Sequence, residues 1–385
     1  MNAPLPIPDA EAYAHSQSLN QFIRSEIAAN GNWIDFSHYM HLALYAPGLG
    51  YYSGGAKKFG YAGDFVTAPE ISPLFAQTLA SQAEQVLQHT PGDILELGAG
   101  TGRLAVELLL ELDSRGSVPE RYLILEVSAY LREVQQQTLA KNLPAELFAR
   151  VHWLDEFPVH FKGLILGNEV LDALPVHLIK TTDEGMLEVG VSMNADGFLW
   201  DEQPLANASL LAFVSSLGLP VGYMTEICPA AAALMASLCH MLEEGVILLI
   251  DYGFPKREYY HPQRSQGTLM CHYRHYAHGD PFLYPGLQDI TAHVDFSNVA
   301  QTAQANGMVL KGYCGQAQFL INCGITEILT RTSPHDIAAY APLASQAQKL
   351  LSPAEMGELF KVIAVAKGCE YSLIGFNRGD KSHTL

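Results

Sequence analysis

Basic residues are scarce in this chain. Among 385 residues, Lys and Arg number 22 against 40 Asp and Glu, a formal net charge of −18. Phosphate backbones need clustered cations, so nucleic acid is not an expected partner, while room is left for a cationic one. Charged residues of both signs make up only 16% and apolar ones 49%, enough to bury a large core with additions beyond one ordinary domain. No apolar run is long enough to span a membrane, and the stretch from Met1 to Pro8 has neither the positive charge nor the apolar centre of a secretory signal. A cytoplasmic protein is therefore expected. The six cysteines, at 228, 239, 271, 314, 323 and 369, contain no Cys-x-x-Cys pair, which argues against a zinc knuckle or redox pair and for free thiols in a reducing compartment. Gly-Lys followed by Ser or Thr occurs nowhere, so a Walker phosphate loop is excluded.

What the chain does have is Asp93-Ile-Leu-Glu-Leu-Gly-Ala-Gly-Thr-Gly-Arg103. Ile94, Leu95 and Leu97 form a short apolar run, glycines at 98, 100 and 102 allow a sharp turn, and Leu104, Ala105, Leu108, Leu109 and Leu112 recur at helical spacing. This predicts the first βα turn of an α/β nucleotide-binding sheet, with a ligand beyond the carboxyl end of the strand. A dinucleotide fingerprint would need a third glycine where Arg103 stands. The remaining pattern, Glu96-Leu-Gly-Ala-Gly-Thr-Gly102, resembles the first motif of class I S-adenosylmethionine-dependent methyltransferases. That resemblance implies cofactor contacts from Glu96, Gly98, Gly100 and Gly102. It also implies that Glu126, which ends the second apolar run Tyr122–Leu125, takes the ribose hydroxyls. Asp155, after a third strand at 149–154, is a candidate for the adenine amino group and equally a surface turn acid.

The expected architecture is α/β: a class I methyltransferase Rossmann-like sheet over 91–385, preceded by a helical segment over 1–90 and interrupted by a β meander at about 176–201 and a lid at about 254–304. In the first segment, Leu19, Phe22, Ile23 and Ile27 mark a helix ending near Asn30-Gly31, a second runs to Tyr45, and Ser72-Pro73 caps a third reaching about His89. The fourth strand, 163–167, delivers Asn168-Glu-Val-Leu-Asp-Ala-Leu-Pro175 to the place that faces a transferred group, and a fifth, 246–250, carries Asp251 and Tyr252. A capping box at Ser352–Glu355 predicts a helix through Ala366, followed by a closing edge strand from Tyr371 to Phe376. His272, His275 and His278 have no acidic or thiol ligand spaced to complete a metal site, so no metal is expected.

Six stretches in order resemble the MidA family of methyltransferases: Gly63–Ser72, Glu96–Gly102, Asn168–Pro175, Glu226-Ile-Cys-Pro229, Asp251-Tyr-Gly253 and Asp289–Phe296. Mitochondrial members of that family serve as complex I assembly factors and methylate arginine. The resemblance implies S-adenosylmethionine as cofactor, with Thr67 and Asn168 at the cofactor, and a protein substrate with an accessible arginine, a respiratory-chain subunit being one candidate. It also allows a homodimer. Asp251, Tyr252, His293 and Asp295 belong to its motifs and are candidates for the acceptor groove, each equally readable as an ordinary strand-end or loop residue. Where the family pattern reads Glu-Phe-Phe-Asp, this chain has Glu169-Val170-Leu171-Asp172, keeping both acids and losing the aromatics. Two carboxylates three residues apart, on the first turn of a helix, would share a face and grip a guanidinium; Glu169 and Asp172 are the catalytic candidates, with helix capping the ordinary reading of Asp172. A small-molecule methyltransferase and a cofactor-binding assembly factor without turnover stay open at this point.

Overall fold

The computed structural model describes residues 5–54 and 67–385. They divide into two compact units, one taking the described residues of Met1–Phe65 with Leu171–Ala233 and Lys256–His293, the other the described residues of Val66–Val170 with Leu234–Pro255 and Val294–Leu385. The division expected near residue 90 falls inside the second unit. The reason is packing: the helix Pro73–His89 buries Leu74, Phe75, Leu79, Ala83 and Val86 in the same core as the central strands.

In that second unit, seven strands follow the chain as β1 (Asp93–Leu97), β2 (Tyr122–Leu125), β3 (Val151–Leu154), β4 (Phe161–Asn168), β5 (Leu242–Phe254), β6 (Val309–Gly315) and β7 (Phe360–Lys367). Their order across the sheet is β6-β7-β5-β4-β1-β2-β3, with the short segment Val294–Asp295 added beside the end of β5. Strands β1 to β5 run parallel and β7 lies antiparallel between β5 and β6. Parallel strands covered on both faces read as unbroken apolar runs, and β1 and the centre of β5 are buried at successive positions. Helices α1 (Pro73–His89), α2 (Arg103–Ser114), α3 (Ala129–Asn142) and α4 (Phe296–Ala305) belong to this unit. The Ser72 hydroxyl accepts from Leu74 N at 3.2 Å, the capping read from the sequence. Because the chain leaves β1 toward β2 on one side and returns to β4 on the other, the order reverses between β1 and β4. A crevice opens at such a point outside the carboxyl ends of the strands.

Two elements depart from expectation. The segment Ser352–Ala366 is not a helix: Ser352 carbonyl oxygen takes the amides of Glu355 and Gly357 in turns, and Phe360–Lys367 is strand β7. Phe360, Val362, Ile363, Ala364 and Val365 are buried on both faces of the sheet, and this apolar, β-branched run overrides the local helix signal. The closing segment near Tyr371–Phe376 forms a short 3-10 turn at Ile374–Phe376 rather than a strand.

The other unit joins helices Ala10–Ala29 and Phe36–Tyr45 to a five-stranded sheet. The expected meander is there, as His177–Thr182, Gly185–Met193 and Phe198–Pro204, and the sheet also recruits Ile34–Asp35 and Met224–Ile227, which lie distant in sequence. Within the 254–304 stretch, Met270–Tyr273, Tyr276–His278 and Asp289–Thr291 make a small antiparallel sheet instead of an irregular loop. His272 and His278 sit on paired strands and His275 in the turn between them. Among the described residues, no helix is long and apolar enough to cross a membrane.

Candidate active site

The turn after β1 carries all three glycines in left-handed backbone, with φ of +58° at Gly98, +53° at Gly100 and +83° at Gly102. At Gly102 the need is double: a Cβ would come within 3.3 Å of Leu139 Cδ1 and 3.4 Å of the Gln135 Cα on α3. Around Gly100, by contrast, a Cβ would meet nothing within 4 Å, so that backbone borders open space. A Cβ at Gly98 would touch Val170 Cγ2 at 3.5 Å. The glycine turn and the segment after β4 are therefore neighbours, as the reversal in strand order requires.

Two acids stand behind this turn. Glu96 is buried in β1 and accepts the Tyr122 hydroxyl at 2.7 Å. Desolvation pushes its carboxyl up to about 7 from 4.5, and the nearby Glu126 charge adds to the shift while the Tyr122 bond opposes it. Glu126, at the end of β2, is also buried and also raised, chiefly by burial, against the pull of the Ser128 amide and Gln135. Its Oε1 accepts Ser128 N at 2.9 Å and its Oε2 accepts Gln135 Nε2 at 3.0 Å. The next residue, Val127, is 81% exposed and presents an apolar face beside the acid. A proton held by Glu96 in the folded state favours folding below about pH 4.5, and that contribution is lost as pH rises through about 7. Replacement Glu96→Gln, which can still accept the Tyr122 hydroxyl, should gain on wild type between pH 5 and pH 8 by about 3 kcal/mol in denaturant unfolding. A gap that does not change with pH would show that Glu96 ionises freely.

Asn168 ends β4 and donates to Glu169 Oε1 at 3.0 Å, while its own Oδ1 is buried with no hydrogen-bond partner among the described residues. Glu169 does not open a helix. It sits in left-handed backbone at φ +55°, its amide donating to Ile250 carbonyl oxygen at 2.9 Å. Asp251, at the neighbouring end of β5, takes the amides of Val170 at 3.1 Å and Tyr252 at 2.8 Å, so it braces the backbone that carries Glu169. The helical face expected to unite Glu169 and Asp172 therefore does not form, because strand register and these amide bonds, rather than local propensity, set the conformation. Tyr252 packs its ring on Phe360, with centroids 3.9 Å apart. Asp295 accepts Ser297 and Asn298 amides at 3.1 and 3.2 Å and caps α4.

Asp172 and His293 lie in the other unit, where they are brought close: Asp172 is buried and its carbonyl accepts Ala292 N at 3.0 Å, while His293 N donates to Thr268 Oγ1 at 3.0 Å. Asp155, after β3, is bound by Arg132 at 2.7 Å and its side chain is 91% exposed. Thr67 precedes the short helix Ala68–Ile71 without a capping bond from its hydroxyl, and Gly63 to Val66 of that motif lie outside the described residues. Sequence reasoning missed Glu70, which accepts the Thr101 hydroxyl and so ties that helix to the glycine turn, although both residues stood inside motifs already singled out. It also missed Gln135 and Arg132 of α3, for which spacing offers no signal.

These residues fit S-adenosylmethionine. The open backbone at Gly100, a carboxylate at the β2 end and a buried amide oxygen in need of a donor suit a ligand with a sugar diol and an ammonium. Sheet order and glycine turn together define a class I S-adenosylmethionine-dependent methyltransferase. The model of the S-adenosyl-L-methionine-dependent methyltransferase family matches residues 74–314, and the chain belongs to that family. A Burkholderia thailandensis protein solved bound to S-adenosyl-homocysteine is 50% identical, with a TM-score of 0.96 over 99% of this chain and 100% of that one. Among curated proteins, protein arginine methyltransferase NDUFAF7 of Mus musculus is 30% identical over 86% of this chain and 80% of its own length. The Drosophila melanogaster homolog is 29% identical over 98% and 93%. Both relatives are named as mitochondrial proteins.

Proposed function

We propose that this methyltransferase transfers the methyl group to arginine of a protein substrate. The observation that carries the reading is Glu169, a carboxylate held in left-handed backbone at the carboxyl end of β4, next to the glycine turn. Relatives named as protein arginine methyltransferases, similar over most of their length, support it. In this reading the turn at Gly98, Gly100 and Gly102 borders the cofactor, Glu126 accepts its ribose hydroxyls, and Asn168 Oδ1 takes its ammonium. S-adenosylmethionine, when bound, supplies a methyl group already activated on a sulfonium.

What the chain must add is alignment and charge. Arginine is a poor nucleophile, since its guanidinium is delocalised and stays protonated with a pKa above about 12. A carboxylate accepting its N–H groups fixes the plane and draws positive charge from the attacking nitrogen. Glu169 is placed for that task by Asp251, through the Val170 amide, and by the Ile250 carbonyl. The net charge of −18 favours the approach of a basic segment. Incubation of the full chain with S-adenosylmethionine and arginine-containing proteins from a deletion strain should produce methylarginine by mass spectrometry of digests. Methyl groups appearing only on small molecules would replace this reading.

A further inference from the structure

Gln135 is buried in the middle of α3, and each polar group of its amide is engaged. Nε2 donates to Gly100 carbonyl oxygen at 3.0 Å and to Glu126 Oε2 at 3.0 Å, while Oε1 accepts Trp153 Nε1 at 2.9 Å. One side chain thus joins the turn after β1, the acid after β2 and the indole of β3, three successive strand ends on one edge of the crevice. Its backbone also lies against the glycine turn, since a Cβ at Gly102 would come within 3.4 Å of the Gln135 Cα. A purely structural amide would need only partners of any kind. This one spends its two donors on the ribose acid and on a carbonyl of the turn that borders the cofactor in the reading above.

We infer that Gln135 is a positioning residue for cofactor binding, holding Glu126 and the Gly100 carbonyl in the arrangement that receives the adenosine ribose. The inference rests on Glu126 as the ribose acid. Glu126 is held at Oε1 by the Ser128 amide and at Oε2 by Gln135, so Gln135 completes the fixing of the carboxylate plane while lone pairs remain on both oxygens for hydroxyl donors. The donor also favours the ionised carboxylate against burial. Taking it away leaves Glu126 protonated to higher pH and less able to accept.

Calorimetry of the full chain with S-adenosylhomocysteine tests this. Gln135→Met, close in volume and unable to donate, should weaken binding about tenfold at pH 8, with a further loss as pH falls that is steeper than in wild type. In a Glu126→Ala background the same replacement should cost less than about threefold, because the group it orients is gone. Gln135→Glu should show the opposite pH slope, its affinity rising as pH falls and a shared proton restores a donor between the two carboxyls. The slopes of this pair serve also if the Met variant folds poorly. Binding by Gln135→Met within about threefold of wild type, or an equal loss with and without Glu126, overturns the inference. If Glu126→Ala itself binds as wild type does, the ribose assignment fails first.

Discussion

Replacing Glu169 by Gln is expected to lower methyl transfer by about a hundred- to a thousandfold while S-adenosylhomocysteine binding stays near wild type. The two residues have the same shape, so the left-handed backbone at φ +55°, the amide bond to Ile250 and the contact from Asn168 are all retained. Only the negative charge is lost, and with it the ability to draw positive charge out of a guanidinium as the nitrogen attacks. A non-glycine residue in this conformation costs free energy on the order of 1–3 kcal/mol, and such strain gathers where function over-determines the backbone. Single-turnover methylation followed beside calorimetry separates the outcomes. Transfer at the wild-type rate would remove Glu169 from the reaction, whereas parallel loss of binding would make it a cofactor ligand.

The second large effect concerns Glu126→Ala, expected to weaken S-adenosylhomocysteine by about a hundredfold, or about 3 kcal/mol, without unfolding the protein. Two hydroxyl bonds to a buried carboxylate would be forfeited. The folded state itself should tolerate the change, because burial already raises the cost of keeping that charge. Gln135 keeps the Gly100 carbonyl as an acceptor, and Ser128 retains its own role as cap of α3 through the bond from Leu131 N. Calorimetric affinity within about threefold of wild type would show that the cofactor sugar lies elsewhere.

How far the sequence reached differs from element to element. Strands β1, β2 and β4 and helices α1 and α2 were read correctly because their apolar periodicity and their caps are local, and burial then confirmed what local chemistry favoured. The helix expected over Ser352–Ala366 failed because the capping box is a short-range signal, while Phe360–Val365 answers to two neighbouring strands that the sequence places far away. The same limit explains Asp251. The family resemblance makes it a candidate for the acceptor groove, yet its carboxylate takes the amides of Val170 and Tyr252, a pairing visible only once β5 lies beside β4.

By itself, the sequence determined the glycine turn and its acids, since a left-handed bend beside a buried strand admits few residues and leaves a readable spacing. Tertiary structure alone decided which side chains brace that turn and how the chain apportions itself between two units. Gln135, Arg132 and Glu70 act through contacts made across strands and helices, and such contacts leave no period in the order of residues.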